Sequence, residues 1–181
     1  MRSYERLSEE EIKSVETTIE DLIGSNITNI FEGKQFVKIK NNRNEIYVIS
    51  QKDLFLLDHI SSQNLEDNFS IEHAGIKLGF FIHNKFLIGI ESLTFLAPYT
   101  RKKIHLDVNN TKRFIFGKDV EMDTVALQKK IKNLNINTLI MVFSKTDIPL
   151  GYAKVISNGV KLWLQNIVDI GIFLRSEKSA F

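Results

Sequence analysis

The chain has no cysteine. That excludes disulfides, thiolate catalysis and cysteine-ligated zinc, and it fits a reducing compartment. No apolar run approaches the ~18–20 residues of a membrane-spanning helix. The opening stretch, MRSYERLSEEE, is charged from residue 2 and lacks the apolar core of a signal peptide. A soluble, intracellular protein is expected. Catalytic signatures are missing too: there is no Walker A loop, Gly-x-Gly-x-x-Gly turn, Gly-x-Ser-x-Gly elbow or His-Glu-x-x-His pair. His59, His73, His83 and His105 stand far apart without metal-ligand spacing and read as surface or packing residues. Carboxylate pairs for acid–base work are assembled in space, and nothing in the sequence points to one. Asp147 and Asp169 lie in turn-like settings, where Asp usually serves its own backbone. No catalytic residue, metal or cofactor is expected.

What is present is an ordinary globular composition, 43% apolar and 25% charged over 181 residues, enough for one large domain or two small ones. The net charge of +2 hides an asymmetry. Residues 1–100 hold 10 Lys/Arg and 15 Asp/Glu, net −5, whereas residues 101–181 hold 14 and 7, net +7. An acidic half joined to a basic half suggests one part for a polyanion and another for a different partner. The sign changes at Leu93–Leu106, where Pro98 interrupts an apolar run and Arg101-Lys102-Lys103 follows. Proline has no amide hydrogen and biases the residue before it away from helix, so a regular element should not run through this point.

Ser8 followed by Glu11 reads as a capping box. Ile12, Val15, Ile19, Leu22 and Ile23 then recur at helical spacing, and Gly24 supplies the stop. The other face, Glu9, Glu10, Glu16, Glu20 and Asp21, is read as solvated. Residues 36–40 and 45–49 alternate with period two about a polar turn, which predicts a hairpin. Ser50 and Asp53 can cap a short helix containing Leu54, Leu57 and Ile60. Ala74–Phe81 and Phe86–Glu91 read as strands, with Gly75, Gly79 and Gly89 marking bulges or close backbone approaches. Beyond the junction, strands are predicted over 103–108, 138–144, 150–156, 160–164 and 170–174, with a helix from Asp123 to about Asn133. Short strands with turn chemistry and one helix suggest a small barrel.

The basic half interleaves cations with aromatics. Lys112 and Arg113 flank Phe114 and Phe116, with Lys118 following. Lys129, Lys130 and Lys132 fall on the predicted helix, and Lys145, Lys154 and Lys161 on or near strands beside Tyr152 and Trp163. Lys and Arg neutralise phosphates, and aromatic rings can stack bases. Phe114, Phe116 and Trp163 alternate with polar residues as core residues do and most are read as buried, whereas Tyr152 is open to either reading. No DNA-reading helix motif is present, so RNA is the favoured polyanion.

Taken together, these residues resemble the NIP-seven family of ribosome biogenesis factors. The resemblance rests on Leu93, Leu96-Ala97-Pro98-Tyr99 and Lys103–Leu106; on the opening Leu7-Ser8-Glu9-Glu10-Glu11; on Gly79, Phe80, Lys85 and Phe86; on Phe114, Phe116-Gly117 and Val120; and on Asp147-Ile148-Pro149-Leu150-Gly151 and Asp169-Ile170-Gly171 with Arg175. It spans nearly the whole chain. It implies an N-terminal α/β domain, a C-terminal PUA domain that binds RNA, and a role without catalysis in pre-ribosomal RNA processing and large-subunit assembly. Two stretches depart from the family pattern. Glu121-Met122-Asp123-Thr124 replaces a Ser-Gly step, and the chain after Gly151 is short, leaving Lys154 and Lys161 as its cations.

The sequence therefore predicts an α+β protein. Residues 1–100 form an N-terminal α/β domain with a mostly antiparallel sheet, residues 101–175 a PUA-like small β-barrel, and 176–181 a tail. The expected function is non-catalytic RNA binding in large-ribosomal-subunit biogenesis and pre-rRNA processing. The expected RNA-binding residues are Arg101, Lys102, Lys112, Arg113, Lys118, Tyr152, Lys154 and Lys161. The expected partners are pre-rRNA and, through the N-terminal domain, ribosome-assembly proteins, with the exosome as a candidate that the resemblance suggests. A monomer without membrane contact is expected, cytoplasmic in an archaeal cell and nuclear or nucleolar in a eukaryotic one. Competing readings are an RNA-modifying enzyme with a PUA targeting domain, and a protein adaptor whose basic half docks an acidic partner.

Overall fold

The structure is a computed structural model that describes residues 4–40, 43–62, 71–122, 135–159, 161–172 and 175. The chain divides into two compact units, Met1–Glu20 with Asn26–Ser92 and Asp21–Ser25 with Leu93–Phe181.

The first unit begins with β1 (Tyr4–Arg6) and α1 (Glu9–Ile23), of which Asp21–Ile23 are assigned to the second unit. The capping box forms as predicted: the Glu11 amide donates to Ser8 Oγ at 3.3 Å, and the Ser8 amide to Glu11 Oε2 at 2.9 Å. α1 ends before Gly24, whose φ of 71° suits a residue without a Cβ. Then come α2 (Thr28–Phe31), β2 (Lys34–Ile39), β3 (Glu45–Ser50), α3 (Gln51–Ser62), β4 (Ile76–Ile82) and β5 (Lys85–Ile88). The predicted hairpin is β2–β3, and Ser50 caps α3 by accepting from the Asp53 amide at 3.1 Å. β4 turns into β5 through His83 and Asn84, both at positive φ. The five strands pair in sequence order, every pair antiparallel. Their core includes Val37, Ile39, Tyr47, Ile49, Leu54 and Ala74. Gly79 lies where a Cβ would stand 2.0 Å from the Leu87 carbonyl, the close backbone approach that its place in a strand predicted. β5 is shorter than expected. It ends at Ile88, and a 3-10 turn at Ile90–Ser92 follows.

The second unit contains α4 (Leu93–Leu96), a 3-10 turn (Ala97–Tyr99), β6 (Lys103–His105), α5 (Val108–Ile115), β7 (Val120–Glu121), β8 (Leu139–Phe143), β9 (Pro149–Ser157) and β10 (Leu162–Asp169). Pro98 sits in the first positions of the 3-10 turn, where a missing amide hydrogen is least costly. The sheet order is β6-β8-β9-β10-β7, with β6 parallel to β8 and the other pairs antiparallel. Its core gathers Ile104, Leu106, Phe114, Val120, Met122, Ile140, Val142, Ala153, Val155 and Leu164. The α+β class expected from sequence holds.

Three element expectations are corrected here. The strand over 103–108 stops at His105, because Asp107 caps α5 by accepting from the Asn110 amide at 2.9 Å. The strand from residue 160 begins at Leu162 and runs on to Asp169. The strand expected to start at Ile170 is absent: Ile170 and Gly171 form a turn, with the Gly171 amide donating to Asp169 Oδ1 at 2.8 Å. The helix predicted from Asp123, with Lys129, Lys130 and Lys132, lies outside the described residues.

Candidate nucleic-acid interface

Within the second unit three exposed cations lie at the C-terminal end of α5, Lys112 and Arg113 on the helix and Lys118 just after it. At 3.6 residues per turn, neighbouring positions are about 100° apart, so Phe114 and Phe116 lie about 200° apart on opposite faces. Phe114 is fully buried in the core, whereas Phe116 is 59% exposed. Alternation would bury both rings on one face of a strand, and that pattern makes Phe116 resemble a core residue. On a helix the same spacing drives one ring in and the other out. The exposed face carries Val108, Asn109, Lys112, Arg113 and Phe116.

α5 ends in a Schellman motif. The Gly117 amide donates to the Phe114 carbonyl at 2.9 Å and the Lys118 amide to the Arg113 carbonyl at 3.1 Å, with Gly117 at φ 74°. This reversal brings Lys118 back against the turn that carries Lys112 and Arg113. The turn is braced from behind. Arg175 donates through Nη1 to the Ile115 carbonyl at 2.6 Å, and through Nη1 and Nη2 to the two oxygens of Asp169 at 2.9 Å each. Asp169 is buried, and the paired guanidinium and the Gly171 amide satisfy it. A Cβ on Gly171 would stand 1.7 Å from the Ile115 carbonyl, so only glycine fits there. The Asp169-Ile170-Gly171 and Arg175 motif thus holds the end of α5.

The other expected site residues divide. Arg101 is exposed and Lys154 half-buried on β9. Among the described residues, neither these two nor Lys112, Arg113 or Lys118 forms an ion pair. The Lys102 ammonium donates to the Asp21 carbonyl at 2.6 Å and to its carboxylate at 3.0 Å. Lys161 is paired with Glu121. Tyr152 is a correction. It is 2% exposed on β9, between β8 and β10, so its ring is not open to a base. The aromatic that sequence reading missed is Phe116; the i, i+4 relation to Lys112 was the signal that could have found it.

Two further settings complete the electrostatics. His105 Nε2 lies 2.8 Å from Asp147 Oδ1, and the hydrogen bond with this ring holds the Asp147 carboxyl below the usual carboxylate range. In the first unit, a polar cleft is lined by Ser8, Glu10, Glu11 and His83 among others, a setting of the wrong sign for a phosphate backbone. Among the described residues no three His, Asp or Glu side chains are grouped to hold a metal ion, and no helix is long and apolar enough to cross a membrane.

Residues 4–90 match the pre-PUA domain of NIP7/UPF0113, and residues 102–178 match the UPF0113 PUA domain. The chain belongs to the NIP7/UPF0113 family. The second unit therefore carries the family's PUA domain, and α5, β9 and β10 all lie in it. The chain is similar to the 60S ribosome subunit biogenesis protein NIP7 of Saccharomyces cerevisiae, 29% identical over 97% of this chain and 98% of that one. It is also similar to the NIP7 homologue of Tetraodon nigroviridis, 29% identical over 96% and 97% of the two chains. The corresponding protein of Schizosaccharomyces pombe is 24% identical over 97% and 98%. The crystal structure of a hypothetical protein from the hyperthermophilic archaeon Pyrococcus horikoshii OT3 superposes with a TM-score of 0.50 over 86% of this chain and 83% of that one. At 10% identity it speaks to the fold alone.

Proposed function

We propose that this chain is a non-catalytic RNA-binding factor in large-ribosomal-subunit biogenesis and pre-rRNA processing. One observation carries the reading: proteins matched from end to end are named as 60S ribosome subunit biogenesis proteins. The exposed cations of the second unit support it, since phosphate neutralisation by Lys and Arg is the sequence-independent part of RNA binding. In this reading Arg101, Lys112, Arg113, Lys118 and Lys154 supply the phosphate contacts, with Lys102 and Lys161 contributing what their carboxylate partners leave. Residues 101–175 take the RNA and residues 1–100 the ribosome-assembly proteins, the exosome among the candidates. The protein acts as a monomer where large subunits are assembled, the nucleolus of a eukaryotic cell or the cytoplasm of an archaeal one.

The test is crosslinking of the protein to RNA in cells, with sequencing of what is bound. Enrichment of pre-rRNA is expected, and depletion should lower large subunits relative to small ones. Bound RNA without pre-rRNA enrichment counts against the reading. Purified protein should show no methyltransferase, nuclease or nucleotide-hydrolysing turnover. Turnover abolished by changing one carboxylate within residues 1–100 would replace this reading with the RNA-modifying enzyme.

A further inference from the structure

We propose that the C-terminal turn of α5 is a base-stacking subsite for single-stranded RNA, with Phe116 as the platform and Lys112, Arg113 and Lys118 as the clamp on the flanking phosphates. The inference rests on the RNA-binding reading above and deepens it.

The arrangement is built rather than incidental. Phe116 stands four residues after Lys112 and three after Arg113, so on the helical wheel its ring falls between the two cations. The Schellman hydrogen bonds hold Phe116 at the C-cap of α5, and Arg175 and Gly171 brace the same turn from the core side. A ring that is 59% exposed is therefore presented from a rigid backbone. That lowers the ordering cost of stacking a base on it.

The charge pattern points to the ligand. In a Schellman motif the positions held here by Arg113 and Lys118 are frequently apolar and touch one another. In this chain both are cations, exposed and without an ion pair among the described residues, and Lys112 is beside them. A cation near a helix C-terminus complements the partial negative charge there. That effect accounts for Lys112 or Arg113 singly. It does not account for a third cation folded back against them, nor for the uncovered ring between them. Like charges held together repel, and a polyanion removes that cost while its counterions are released. Stacking on an exposed ring flanked by cations tolerates any base, since every base has a π-face. An acidic protein segment also matches the charge, but it has no need of an open planar ring.

The test uses the full chain and a fluorophore-labelled oligoadenylate, titrated at several salt concentrations. Phe116→Ala should weaken binding about tenfold, the order expected for one stacked base, with the slope of log affinity against log salt unchanged. Phe116→Trp should bind at least as well as wild type, and oligoadenylate should quench its added indole emission. Arg113→Gln with Lys118→Gln should reduce the slope by about 1.4, two contacts at roughly 0.7 each. Wild-type affinity in Phe116→Ala, on RNA that the wild type binds, overturns the inference and leaves the RNA reading standing. A Phe116→Ala protein that keeps its RNA affinity but loses a protein partner makes that partner the occupant and likewise overturns it. Failure of the wild type to bind oligoadenylate or any other single-stranded RNA at low salt removes the RNA reading and the subsite together.

Discussion

The two units treat their cations differently. In the first, Arg6 meets Asp58 at 3.1 Å, Lys38 meets Glu11 at 2.7 Å, Lys77 meets Glu45 at 2.6 Å and Lys40 pairs with Glu5. Lys13, Lys52 and Lys85 form no ion pair among the described residues, but they stand apart on α1, α3 and β5. In the second unit, Lys112, Arg113 and Lys118 are gathered at one helix turn and meet no carboxylate among the described residues. Exposed ion pairs such as Arg6–Asp58 contribute only ~0–1 kcal/mol each, so the exposed part of the contrast says little about stability. It bears on where a polyanion finds concentrated positive charge.

The sheets differ in a parallel way. Strands of the first pair in chain order, with local turns joining β2 to β3 and β4 to β5. The second places β7 at one edge beside β10, and β6 at the other, parallel to β8. Local pairing can be read from alternation and turn residues. A parallel pair and a late return strand need contacts between residues far apart in the chain, and no short pattern encodes them.

The largest expected effect lies in the core behind α5. Phe114→Ala should cost about 3–5 kcal/mol, because it removes a fully buried ring from the second core. Urea unfolding checks this, and a loss under about 1 kcal/mol would show that the α5 turn is not anchored through that ring.

Next, Lys112→Gln with Arg113→Gln should lower the salt slope of RNA binding by about 1.4 from a wild-type value near −3.5, for about five contacts at roughly 0.7 each. Lys38→Gln, which breaks a paired cation of the first unit, should leave the slope unchanged. Equal effects from both would erase the difference between the units.

A smaller change is expected on the β9–β10 side. With Lys161 already paired to Glu121, Lys154→Ala and Lys161→Ala together should remove about 0.7 of slope, one contact instead of two. A drop of about 1.4 would put Lys161 on the phosphate backbone in spite of its partner.

The smallest effect is at the cap of α5. Asp107→Ala should cost about 1 kcal/mol at neutral pH. The Asn110 amide, as the main hydrogen-bond donor, holds the Asp107 carboxyl below its ordinary 3.8. A depressed carboxyl stabilises the fold above that ordinary value and loses its contribution as pH falls through the folded one. The gap between wild type and Asp107→Ala in urea midpoint should therefore close below about pH 3.8. A gap constant from pH 7 to pH 2.5 would mean that the carboxylate does not act as the cap.

Much of the first unit was legible because its signals are local. Ser8 and Glu11 are three residues apart, the β2–β3 hairpin alternates about a short turn, and Ser50 caps α3 from one position before it. The basic character of the second half was legible for the same reason, since charge adds up along a chain whatever its fold. The roles of single residues there were not. Tyr152 was open to either reading until β9 proved to be an inner strand, covered on both edges by β8 and β10. Phe116 read as core until its spacing from Phe114 proved to be helical. Lys102 found Asp21 from 81 residues away, and Lys161 found Glu121 because β7 pairs with β10. The class of fold, the caps of α1 and α3, the β2–β3 hairpin and the sign of charge on each half were set by the amino-acid order alone. These depend on neighbours within a few positions or on composition alone. Which aromatic faces solvent and which cations keep their charge open were decided only by the tertiary structure, because burial and ion pairing depend on strand order and helix facing.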